Sequence, residues 1–104
     1  MMNFEQYLSA TTQLEAERDL IDKKIDYRIL ELVGPKPDIA TQLRRNSRTF
    51  SEEDDRKIDT DLIIIELRRQ KREVQERFDH IRRTGETPEA TAEAVKTWEE
   101  EVNA

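Results

Sequence analysis

Cysteine is absent from the 104-residue chain, which excludes a disulfide framework, a thiolate zinc site and a redox pair. Glycine occurs twice and proline three times, too few for a loop-rich fold or a glycine-rich phosphate loop. Six aromatic side chains, one of them tryptophan, leave little for a deep core. Long apolar runs are missing as well. The longest is the four residues Leu62 to Ile65, against the ~20 that a bilayer span requires. Met1-Met2-Asn3-Phe4-Glu5 carries no basic segment leading into an apolar one. No secretory signal is read there, and a cytoplasmic location without membrane contact is the expectation.

Charge is what the chain has in abundance. It holds 24 acidic and 18 basic side chains, 40% of all residues, for a net charge of -6. Leu, Ile, Val and Phe make up 24 of the 104 residues, just above the ~20% below which a charged chain stays disordered. Ala, Glu, Lys, Leu and Arg account for 48, close to the ~50% typical of long helices and coiled coils. An all-α fold in one domain, residues 1–104, is therefore expected. The acidic balance opposes nonspecific binding to nucleic acid or anionic membrane.

The scarce glycines and prolines punctuate helices. A first helix is expected over about 4–33, with Asn3 as cap, Gln6 bonding back to it, and Gly34 as the stop. A connector, 34–50, follows, within which Asp38 to Leu43 has the makings of a short helix. A second helix is expected over about 52–83. Ser51 caps it, four acids follow, and Arg82 and Arg83 lie at the other end, matching the helix dipole. The third, about 88–102, has Thr87 as cap and Pro88 at its first position.

Two seams with steps of three and four run along the long helices. The first is Phe4, Tyr7, Thr11, Leu14, Arg18, Ile21 and Ile25. The second is Thr60, Ile64, Leu67, Lys71, Val74, Phe78 and Ile81. Both have coiled-coil spacing. Folded back as an antiparallel hairpin, they meet member for member when paired residue numbers add to 85. Tyr7 then faces Phe78, and Ile21 faces Ile64. The polar members have two readings: their stems pack while their heads reach water, or they fix register. A separate stripe, Ile58, Leu62 and Ile65, makes the second helix apolar almost all round near its start, and such a helix is normally buried all round. It is read as an oligomer interface, joining two hairpins into a four-helix arrangement. The connector's Ile39, Leu43 and Phe50 are candidates to cover part of it.

Candidate sites are few. Glu15, Asp19, Asp22 and Asp26 form an acidic stripe that lacks the Glu-x-x-His partner of metal-binding bundles. It reads as a solvated face, partly paired with Arg68 and Arg72. His80, the one histidine, cannot build a zinc site alone. Arg68, Arg69 and Arg72, with Arg44, Arg45 and Arg48 in the connector, have forks suited to phosphate, or else form a mixed-charge face with the interleaved acids. Trp98 is either a clasp on the hairpin or a partner anchor. No catalytic constellation, cofactor site or metal site is expected. The run Glu17-Arg18-Asp19-Leu20-Ile21-Asp22-Lys23-Lys24-Ile25-Asp26 resembles the first helix of small all-helical chorismate mutases, over about a quarter of the chain. Arg18 and Arg28 stand too close to be that family's two first-helix arginines, and the second helix is far longer. No catalytic role is carried over.

The expected function is a non-catalytic protein–protein interaction module (adaptor, scaffold, assembly factor or inhibitor) working as a homo-oligomer with a further protein partner. The alternative is a nucleic-acid-associated regulator using the arginines.

Overall fold

In a computed structural model, which describes residues 1–103, the chain is an all-α helical bundle. Five helices follow in order: α1 (Phe4–Val33), α2 (Ile39–Arg44), α3 (Glu52–Thr60), α4 (Leu62–Thr84) and α5 (Pro88–Val102). No helix among the described residues is long and apolar enough to cross a membrane.

Local chemistry accounts for the ends. At α1 the Asn3 carboxamide accepts from the Gln6 N–H at 2.8 Å, and the Gln6 side chain accepts from the Asn3 N–H at 3.0 Å. This reciprocal pair satisfies two amide donors that a helix start leaves without intrahelical partners. Asp38, Ser51 and Thr87 each accept from the backbone N–H three residues on, capping α2, α3 and α5. Gly34 (φ +82°) and Gly85 (φ +72°) close α1 and α4 in the left-handed region, where a Cβ would be strained.

The chain packs as two compact units. One comprises Met1–Asp19 with the chain from Arg72 on; the other is Leu20–Lys71. The first buries Thr11, Leu14, Val74, Phe78 and Ile81; the second buries Ile21, Ile58 and Ile64. All but Ile58 belong to the two seams. Phe4, the first seam residue, is exposed.

Each polar seam position has its own solution. The buried Thr11 hydroxyl donates to the Tyr7 carbonyl of its own helix at 2.9 Å, so it needs no water. Arg18 bonds the Gln75 side chain at 3.1 Å and lies 5.8 Å from the Phe78 ring centre, with Arg82 at 5.6 Å. Both guanidinium groups are within cation–π range. In the other unit Lys71 pairs with Asp22 at 2.7 Å. Thr60 donates to the Arg56 carbonyl.

These contacts do not follow the register in which residue numbers add to 85. Gln75 lies eight positions beyond the partner that register assigns to Arg18, and Asp22 lies eight beyond the one assigned to Lys71. The Arg28 contact to Asp61 is displaced by four in the same sense. A slide of one heptad falls within this range, and it exchanges one seam residue for the next. Apolar periodicity alone is blind to it.

The second correction concerns the helix expected over 52–83, which is two helices. Asp61 is extended (φ -71°, ψ 124°) and separates α3 from α4. No glycine or proline makes the break. Asp61 makes it with its own carboxylate, which accepts from the Ile64 N–H at 3.1 Å as an N-cap of α4. The same carboxylate takes a two-pronged bond from Arg28, Nε to Oδ2 at 3.1 Å and Nη2 to Oδ1 at 2.8 Å. A planar fork on a carboxylate is the strongest geometry available to this pair.

Arg28 holds the Asp61 carboxyl below its ordinary value of 3.8, opposed by desolvation and aided by the Ile64 amide. Because the folded value is the lower one, Asp61 contributes stability above about pH 4, and the contribution disappears as pH falls through the folded value. Asp61→Asn therefore lowers the thermal midpoint below the parent's at pH 7, because the fork from Arg28 and the cap on α4 both weaken. It also gives a smaller further loss between pH 5 and 3. Equal acid slopes for the two proteins in circular-dichroism melts would exclude this role.

Candidate functional site

The broken helix re-phases the surface. In a continuous helix Ile58, Leu62 and Ile65 lie within about 60° of each other, while Ile58 and Ile64 lie about 120° apart. With the turn at Asp61, Ile58 and Ile64 both point inward, 4% and 0% exposed. Leu62 (80%) and Ile65 (47%) face outward. The stripe expected as an oligomer interface thus loses Ile58 to the core of its own unit.

Much apolar surface of the Leu20–Lys71 unit has no cover. Leu20, Tyr27 and Leu30 on α1 and Ile63 on α4 are exposed along with Leu62 and Ile65. The connector was expected to screen some of it. Its α2 instead leaves Ile39 and Leu43 exposed as well, with Phe50 half-buried. Between α1 and α4 in this unit lies a shallow groove of about 410 Å³, lined by Lys23, Lys24, Tyr27, Arg28, Glu31, Ile63 and Leu67. Three of its lining side chains are cations and one, Glu31, is an acid.

The six arginines are dispersed and partly neutralised. Arg44 ends α2 and Arg45 caps it. Asn46 (φ +56°) and Ser47 (φ +65°) then turn the chain through the left-handed region, tolerated by Asn more readily than by Ser. Arg48 pairs with Glu52 at 3.0 Å. Arg68 pairs with Asp59 at 3.0 Å rather than with the acidic stripe of α1. Arg69 forks onto Glu66 and, with help from Gln70, holds that carboxyl down to about 2. Arg44 and Arg72 are exposed.

In the other unit, α5 is fastened at its start. Arg77 reaches Glu89 at 2.6 Å, holding that carboxyl below its usual range. His80 Nε2 lies 2.9 Å from the Thr91 hydroxyl. That hydroxyl is also within hydrogen-bond reach of the Thr87 carbonyl at 3.0 Å. His80 thus anchors a helix. A mixed-charge groove of about 760 Å³ opens beside it, lined among others by Leu14, Glu17, Val74, Arg83 and Pro88. Beyond Thr91 every residue of α5 is exposed. Trp98, at 61%, is not a clasp in the core. It lines an open groove with Met1, Thr84, Ala90, Ala94 and Glu101. No group of three or more His, Cys, Asp or Glu side chains is placed to hold a metal among the described residues.

Against protein-family models, characterised proteins and solved structures, the chain finds no match. The partial likeness of 17–26 to a chorismate mutase helix gains no support, and Arg28 is engaged by Asp61. Two features escaped the sequence reading. The Arg28–Asp61 fork joins residues 33 apart, and nothing local marks it. The α1–α4 groove follows from the register, which periodicity left open.

Proposed function

We propose that the chain is a non-catalytic helical interaction module, an adaptor, scaffold, assembly factor or inhibitor in the cytoplasm, that works as a homo-oligomer. In this reading α1 and α4 form an antiparallel, coiled-coil-like hairpin, and two hairpins join in a four-helix arrangement. One observation carries it: Leu62, Ile63 and Ile65 start α4 with apolar side chains on several sides, and all three stay exposed in the single chain. The core is also thin, with seven buried apolar side chains among the described residues, as expected where stability depends on a second copy.

The test is the solution mass across a range of concentrations. Sedimentation equilibrium gives twice 12.4 kDa, or a higher multiple, if the reading holds. A mass of one chain at every concentration refutes it. A tagged pull-down in nuclease-treated and untreated halves then looks for the further partner, which survives nuclease on this reading.

The second reading, a nucleic-acid-associated regulator, is favoured by the exposed Arg44 and Arg72. It is weakened by the carboxylates that hold Arg48, Arg68 and Arg69. It requires nucleic-acid affinity that falls steeply with salt. Arg68→Glu with Arg72→Glu then lowers that affinity by about tenfold or more, read by fluorescence anisotropy at two salt concentrations. Indifference to both changes eliminates it.

A further inference from the structure

We propose that the exposed face of α5 from one copy docks in the α1–α4 groove of a second copy, reciprocally. This rests on the homo-oligomer reading above and adds a second contact, on a different side of α4 from Leu62 and Ile65. α5 buries no residue. A 15-residue helix is marginal in water without a packed face, and α5 is tied down only near its start. Val95, Trp98 and Val102 recur along it at steps of three and four and stay at least half exposed. That is the anchor spacing of a helix that lies in a groove. Glu99 and Glu101 flank the stripe, one on each side, and α5 carries five glutamates against one lysine.

The groove answers in kind. It is lined by Tyr27, Ile63 and Leu67 together with three cations, Lys23, Lys24 and Arg28, and one acid, Glu31. An apolar ridge edged with acids meets an apolar trough in which Lys23 and Lys24 outnumber Glu31. Such complementarity selects partner and register. Each copy has one ridge and one trough, so two copies that exchange both form a closed pair. Tryptophan at the centre of such a contact is a typical anchor.

The test uses full-length chains in paired variants. One carries Lys23→Glu and Lys24→Glu, the other Glu99→Lys and Glu101→Lys. Alone, each sets like charges against like in both docking sites. Each then self-associates about tenfold or more weakly than the parent. Mixed in equal amounts, the two restore opposite charges at both sites and form a hetero-complex of near-parental strength, read by sedimentation with one chain fluorescently tagged. Trp98→Ala weakens self-association on the order of 10²-fold or more, with helix content retained. In the parent, the emission of the single tryptophan moves to longer wavelength on dilution, following the loss of mass.

A parent that forms oligomers while all three variants match it, with emission unmoved by dilution, overturns the α5 contact and leaves the homo-oligomer reading standing. A parent that stays a single chain at every concentration overturns both.

Discussion

Leu62→Glu combined with Ile65→Glu gives a folded single chain at concentrations where the parent is oligomeric. Both side chains are exposed in the isolated chain, Leu62 at 80%, so carboxylates there meet water and α4 stays intact. In an oligomer that covers this face the same carboxylates lose their hydration. Each lost aliphatic side chain removes about 1.5–3 kcal/mol of burial. Two-fold symmetry counts each change twice. Association then weakens by about 10³-fold or more, at 1.4 kcal/mol per tenfold. Sedimentation reads the mass, and circular dichroism reads the helix content. An unchanged mass removes Leu62 and Ile65 from the interface.

Two adjacent isoleucines respond in opposite ways to the same truncation. Ile64 is 0% exposed and Ile65 is 47% exposed. Ile64→Ala costs about 2–5 kcal/mol of folding stability, the transfer cost plus that of the cavity left behind. For a domain stable by about 5–15 kcal/mol, that is a large share of the total. Ile65→Ala leaves single-chain stability within about 0.5–1 kcal/mol and acts on self-association instead. Denaturant melts at a concentration low enough to dissociate oligomers separate the two. Similar midpoints for both variants would mean that the phase of α4 is misassigned.

The buried set was largely readable from residue spacing. Thr11, Leu14, Ile21, Ile64, Val74, Phe78 and Ile81 stand at seam positions because steps of three and four keep to one helical face. Caps at Asn3, Ser51 and Thr87 and the closing glycines were readable too, since their chemistry lies within three or four residues of the helix end. What was hidden depends on distant partners. Asp61 breaks a helix only because Arg28 and the Ile64 amide converge on it. Without that knowledge Thr60-Asp61 passes as ordinary helix. The misplacement of Ile58 follows directly, because its expected face assumed an unbroken turn count. The register was hidden for another reason, since a seven-residue repeat fits its neighbour equally well one step along. Trp98 illustrates the limit for the surface: spacing puts it on the apolar side of α5, and no local rule says whether that side is covered.

The single extended residue at Asp61 also bears on which length changes the chain can absorb. An extra residue inside α4 rotates everything beyond it by about 100° and turns Val74, Phe78 and Ile81 out of the core together. An extra residue between Gly34 and Ser51 produces no such rotation, because α4 takes its starting phase from the grip of Arg28 on Asp61 and not from the helix before it. Insertions and deletions accepted over evolutionary time should therefore collect between Gly34 and Ser51, while α4 keeps its length even as its residues drift.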